Sequence, residues 1–180
     1  MSQNKRLYKN FLDAFAHPDD DAQNRAVTTF FAENAVINMV HPFNELDGGA
    51  DYILEFLKPL RAAFKGLYRR DYVLMGGGFE GQEWVSSTGY YSGHFAQKWL
   101  AIQPTGALAY LRVGEFHRMV EGRAVESYIF LDIPELMIAA GIAEASAKDF
   151  VDPATKSAKN ALSLFGFAFS WDELVHVEKW

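Results

Sequence analysis

The chain has 180 residues, of which 49% are hydrophobic and 22% charged. That is enough apolar surface for one buried core without metal or disulfide support, and too much for global disorder. Seventeen Lys and Arg against 23 Asp and Glu leave a net charge of −6, the wrong sign for gripping a phosphate backbone, so nucleic acid is not an expected partner. Cysteine is absent, which removes disulfides, thiolate metal sites and cysteine nucleophiles together and favours a reducing compartment.

In chain order, Leu7, Phe11, Leu12 and Phe15 recur at helical spacing, and Pro18 with the run Asp19, Asp20, Asp21 stops the pattern. Residues 1–21 begin basic but hold only a short apolar patch broken by Asp13, so no secretion leader is expected. A second helix is predicted over 22–32, with Ala26, Val27, Phe30 and Phe31 on one side, and a β-branched strand over 35–40 bounded by His41-Pro42. Gly48-Gly49 punctuate the chain before Ile53, Phe56, Leu57, Leu60 and Phe64, whose spacing predicts a third helix. From Leu67 the period becomes two, which predicts strands over 68–75, 83–95, 108–120 and 123–132, with Gly76-Gly77-Gly78 as the turn between the first two. A short helix over 134–140 follows, with Asp132 as its expected cap. In the tail, Asp152-Pro153 and Ser170–Glu173 read as helix starts, and Phe165, Phe167, Phe169 and Trp171 are too apolar to stay uncovered. Helices first and an antiparallel meander after them predict an α+β domain with helices on one face of a curved sheet. The richest late apolar stretch, YIFLDIPELMIAAGIA, is broken by Asp132, Pro134 and Glu135 before it reaches spanning length, so no membrane partner is expected and the cytoplasm is the expected location.

The segments FFAENAVINMVHPFNEL, WLAIQPTG and GEFHRMVEGRAVESYIFLDIPELM resemble the SnoaL-like polyketide cyclase branch of the nuclear transport factor 2-like superfamily. The resemblance covers about 22–141 of a single domain spanning 1–180 and leaves 142–180 as a C-terminal extension. It implies a cone, that is, a bent, mostly antiparallel sheet wrapped around N-terminal helices with a pocket between them, and an outer sheet face used for homodimers. It also implies that the cyclase's catalytic carboxylate falls at Ile129, which carries no proton, and that its supporting polar position falls at Glu115. An epoxide hydrolase variant of the fold needs an Asp-Arg-Asp constellation, which Arg112 cannot form with Glu115 across Val113-Gly114.

Read as a three-residue connection, Glu121-Gly122-Arg123 sets the parity of the last hairpin. Glu115 and His117 then share a face with Ser127, Ile129 and Leu131, while Phe116 and Arg118 share the other with Glu126, Tyr128 and Phe130. A carboxylate and an imidazole two residues apart on an inward face are the candidate catalytic pair, the more so if burial among rings raises the glutamate pKa toward neutrality. The plainer alternative is a satisfied internal pair, or a salt bridge of Glu115 with Arg112 or Arg118. His41 and His94 end strands where a cone's mouth would lie, and Tyr91, Trp99 and Ile129 are candidate walls for a ligand. Five scattered histidines without ligand spacing predict no metal, and no organic cofactor is called for. Two functions stay open. One is an acid/base enzyme of cyclase or isomerase type on a small apolar carbonyl compound. The other is a non-catalytic module that binds a small hydrophobic molecule or dimerises. An enclosed hollow reached by Glu115 and His117 is expected for the enzyme, and a filled one for the module.

Overall fold

Ser2 opens the first helix, its hydroxyl accepting the Lys5 N–H, and α1 (Gln3–Ala14) buries Tyr8, Phe11 and Leu12. The computed structural model describes residues 2–142, so the readings of Asp152-Pro153, Ser170–Glu173 and the Phe165–Trp171 aromatics lie outside the described residues. α2 (Asp20–Phe30) starts at Asp19, whose carboxylate accepts the Ala22 N–H. The acidic run therefore begins with a cap, and Asp20 and Asp21 sit at the positive end of the helix dipole. β1 (Phe31–Met39) follows without a loop, and β2 (Glu45–Asp47), a three-residue strand with no sequence signature, pairs back onto it.

The third predicted helix is part of a longer helical segment: α3 (Gly48–Asp51), a π-helical stretch (Tyr52–Leu57) and α4 (Lys58–Ala63). The π stretch widens the turn, and Tyr52, Phe56, Leu57 and Leu60 all become fully buried. Four long strands complete the domain: β3 (Phe64–Phe79), β4 (Gln82–Phe95), β5 (Leu108–Val120) and β6 (Arg123–Leu131). The open, curved sheet runs β2-β1-β6-β5-β4-β3, antiparallel except where β1 meets β6. α5 (Ile133–Ala139) closes the described part, capped by the Asp132 carboxylate as expected.

Two turns depart from the sequence reading. Gly76, Gly77 and Gly78 continue β3 opposite Val85, Trp84 and Glu83, and the chain reverses instead at Glu80-Gly81, with φ of 50° and 74°. Successive left-handed residues make a two-residue turn whose hand matches strand twist. The last hairpin repeats the device at Glu121-Gly122, with φ of 49° and 81°, in place of a three-residue connection. Parity is nonetheless as predicted, because a bulge between Arg118 and Met119 supplies the residue the shorter turn lacks. Beyond the bulge Glu115 faces Ile129 and His117 faces Ser127. One sheet face packs on the helices; the other carries Tyr110, Phe116 and Phe130, which are 50%, 47% and 44% exposed.

Candidate active site

Register brings the polar residues together on the helix-covered face. Arg69 on β3 stands opposite Tyr91 on β4, Ser87 on β4 opposite Glu115 on β5, and His117 opposite Ser127 on β6. Asp71 lies opposite Gly89, where β3 bulges. A Cβ at residue 89 would collide with the Arg70 carbonyl oxygen and the Asp71 Cα, both backbone atoms, so this close approach requires glycine. From above, α1 lowers Tyr8 onto the sheet, and the Phe15 carbonyl at its end accepts the Arg69 N–H at 2.6 Å.

At the centre is the buried Arg69 guanidinium, gripped by two carboxylates. Nη1 donates to Glu115 Oε1 at 2.6 Å; Nε and Nη2 donate to the two oxygens of Asp71 at 2.9 and 2.7 Å. Nη2 also reaches Ser87 Oγ at 3.0 Å, and Nη1 the Tyr91 hydroxyl at 3.3 Å. Tyr8 donates its phenol proton to Glu115 Oε2 at 2.9 Å and lies 2.6 Å from Ser87 Oγ, which donates to Asp71 Oδ1 at 2.9 Å. The imidazole of His117 lies 3.2 Å from Glu115 Oε2 through Nε2 and 2.8 Å from Ser127 Oγ through Nδ1. The Tyr52 and Tyr91 hydroxyls are 3.1 Å apart.

The electrostatics follow from this packing. Burial pushes the Glu115 carboxyl up, but the Arg69 cation and the His117 hydrogen bond outweigh it and hold the group at about 2. The rise toward neutrality expected from ring burial alone is therefore reversed. Burial disfavours the Arg69 charge, and Glu115 and the neighbouring acidic groups more than restore it. Burial first, then the Glu115 charge, raises Tyr8 well above its ordinary value; burial likewise raises Tyr52 and Tyr91, so all three phenols stay protonated donors at neutral pH.

Of the predicted site residues, Glu115, His117, Tyr91 and Ile129 come together: Ile129 is 1% exposed and directly opposite Glu115. His41 and His94 are exposed and stand outside the cluster. Trp99 is buried in the β4–β5 connection against Phe43 and Phe64. The expected salt bridge with Arg112 or Arg118 does not form; Arg112 approaches Glu135 at 3.5 Å and Arg118 holds Glu126 at 2.8 Å. The hollow expected beside Glu115 and His117 for an enzyme is occupied, which is the outcome expected of the non-catalytic module, so catalysis at this pair requires a substrate that displaces Arg69 or Tyr8. Arg69 and Tyr8 contact the carboxylate, and Tyr8, Phe30 and Phe31 pack edge-on to the imidazole with centroids 4.9, 5.0 and 5.8 Å away. A depression of about 470 Å³ lies elsewhere, along α1, between Gln3, Arg6, Leu7, Lys9 and Asn10.

Sequence reasoning missed Arg69, Asp71, Ser87, Tyr8 and Tyr52. Along β3 the alternate sets Tyr68, Arg70, Tyr72, Leu74 and Leu67, Arg69, Asp71, Val73 each mix apolar and charged residues, so pattern alone does not choose the inward face. Only the cross-strand partner of each residue does. Among the described residues, no three His, Asp or Glu side chains are grouped to hold a metal ion, and no helix is long and apolar enough to cross a membrane.

No protein-family model and no curated protein sequence matches this chain. Solved structures do match it. A candidate SnoaL-like polyketide cyclase from Jannaschia sp. CCS1 is 15% identical with a TM-score of 0.64, over 78% of this chain and 93% of that one. AclR, a candidate hydroxylase from Streptomyces galilaeus, is 18% identical with a TM-score of 0.64, over 79% and 87%. An NTF2-like protein of unknown function from Burkholderia pseudomallei K96243 is 16% identical with a TM-score of 0.59, over 76% and 96%. The fold is the SnoaL-like, NTF2-like one, and at these identities the fold is what is shared.

Proposed function

We propose that this chain is an acid/base enzyme of SnoaL-like type, acting without an organic cofactor on a small, mostly apolar carbonyl compound as a cyclase or isomerase. The observation that carries this reading is the Arg69 guanidinium held between Asp71 and Glu115 inside the cone, at 2.7 and 2.6 Å. Buried ion clusters stabilise a fold no better than apolar side chains of equal volume, so a cluster of this size supports a chemical use. Arg69 and the protonated phenols of Tyr52 and Tyr91 are donors for an enolate oxygen as its charge develops. Hydrogen bonds link Tyr8 through Glu115 to His117, so a proton removed from carbon can be shared among them; Ser87, which gives its proton to Asp71, is not part of that run. Glu115 and His117 are the acid/base pair of this reading, the carboxylate orienting the imidazole. Substrate oxygen that takes Arg69 away from Glu115 makes the carboxylate more basic at the moment it is needed. The same reading places a small hydrophobic molecule against Tyr91 and Ile129, pairs two copies through the exposed Tyr110, Phe116 and Phe130 face, and puts the protein in the cytoplasm.

The acid-Arg-acid geometry also favours a second reaction, epoxide ring opening, with Glu115 in place of one aspartate. One carboxylate would take a proton from water as its oxygen bonds to a ring carbon. The C–O bond would break as the Tyr91 phenol, protonated at neutral pH, gives its proton to the leaving oxygen, and the proton taken from water then restores the phenol, leaving a diol. Two assays test these readings: exchange of the α-hydrogens of 1-tetralone into D2O by NMR, and hydrolysis of styrene oxide. Exchange above the buffer rate that Glu115→Gln and His117→Ala abolish supports the first. Diol formation lost in Glu115→Gln supports the second. Turnover that both variants leave unchanged removes the pair from the mechanism, and a wild-type chain inactive in both assays is the non-catalytic binding module.

A further inference from the structure

The two edges of the sheet are finished differently. β2, at one end, has only three residues, which gives a foreign strand little to pair with. β3, at the other, has 16, and its first half is protected: the Phe15 carbonyl takes the Arg69 N–H, and a bulge between Asp71 and Val73 interrupts the ladder. Beyond the bulge the edge is bare. Among the described residues nothing pairs with the outer side of Val73, Leu74, Met75, Gly76, Gly77 and Gly78, a run without charge or proline in which Met75 is 56% exposed and all three glycines are exposed. Charges, prolines and bulges are what keep strand edges from pairing, and none lies within this run. Its backbone is also aimed outward. The Glu80-Gly81 turn has two residues, so Phe79 and Gln82 exchange hydrogen bonds across it, and by alternation Leu74, Gly76 and Gly78 turn their N–H and C=O groups away from β4.

The sequence of this edge is complementary to itself. We propose that 73–78 is a strand-addition site whose occupant is the same segment of a second copy of this chain, paired antiparallel about a two-fold axis through Met75. Outward backbones face one another only when the axis passes through a residue. With Met75 on it, Leu74 exchanges hydrogen bonds with the partner's Gly76, and Val73 lies beside the partner's Gly77, so the two bulky side chains next to the axis each cover a glycine. The same register sets Arg70 against the partner's Glu80, and Glu80 against the partner's Arg70. Both residues are exposed, and the length of the arginine covers the one-residue offset of the bulge. An axis one residue earlier or later loses this charge match, because Arg70 then meets the partner's Gly78 or the partner's Gln82. The pairing joins two six-stranded sheets edge to edge, through a surface separate from the Tyr110, Phe116 and Phe130 face and independent of any chemistry at Glu115.

The whole chain is followed by sedimentation velocity from about 10 μM to about 1 mM, with Met75→Lys, Arg70→Glu and Glu80→Arg beside the wild type. Self-association is expected to weaken about tenfold in Met75→Lys, which sets two ammonium groups together on the axis, and about tenfold in each charge reversal. Mixing the Arg70→Glu and Glu80→Arg chains in equal amounts is expected to restore it, because each chain then meets its complement at both ends of the strand, a recovery that a misfolded variant cannot imitate. Hydrogen exchange locates the contact. In the wild type the Leu74, Gly76 and Gly78 amides are expected to exchange more slowly as concentration rises, and in Met75→Lys they are not. A chain monomeric throughout, association that Met75→Lys leaves unchanged, a mixture no tighter than its components, or edge amides indifferent to concentration overturns the inference. Pairing through the Tyr110 face alone gives the second of these results.

Discussion

Glu115→Gln isolates the electrostatic hold of the cluster, because glutamine keeps the shape of the side chain and removes its ionisation. Folded Glu115 titrates at about 2 against an ordinary 4.5. A carboxyl with a depressed folded pKa stabilises the fold fully above its unfolded pKa and loses that contribution as pH falls through the folded one. Two and a half units at 1.36 kcal/mol each make the ionised group worth about 3 kcal/mol at pH 7, and about 1 kcal/mol at pH 3. The assay is urea unfolding of both proteins at pH 7 and pH 3, comparing midpoints at constant slope. The variant is expected to be about 3 kcal/mol less stable at pH 7, with the gap narrowing by about 2 kcal/mol at pH 3. Glu126→Gln is the control. Its carboxyl is also held down by Arg118 and Tyr128, after burial pushes it up, but the pair is partly solvated and its effect should stay under about 1 kcal/mol. A Glu115→Gln deficit equal at the two pH values would show that Arg69 does not hold an ionised Glu115, and the electrostatic account of the site would be wrong.

Gly89→Ala puts a methyl group against the backbone of Arg70 and Asp71, and is expected to destabilise the chain by about 3 kcal/mol in the same unfolding assay; a neutral outcome would mean that β3 does not bulge there. Glu121→Asn replaces a left-handed glutamate with a residue that tolerates that region and makes an Asn-Gly turn, so the thermal midpoint should rise, by about 1 kcal/mol of added stability. A lower midpoint would argue against the two-residue turn.

Periodicity and turn chemistry carried much of this architecture. The 3.6 spacing of Phe11, Leu12 and Phe15, and the period of two after Leu67, were enough to predict helices followed by a meander, and Asp132 could be read as a cap from its place before Ile133-Pro134. Parity alone put Glu115 and His117 on the inner face, although through a turn and a bulge that the sequence signals only as an odd register. The partner of Glu115 was different in kind. Arg69 is 46 residues away, and its nearness depends on the β3–β4 and β4–β5 registers, on a bulge permitted by Gly89 and on the descent of α1 that brings Tyr8. Local sequence reports which way a side chain faces relative to its neighbours on the same strand. Whether a buried carboxylate is raised by desolvation or lowered by a cation depends on what stands across the sheet, and for Glu115 the tertiary structure supplied the guanidinium that reversed the sign.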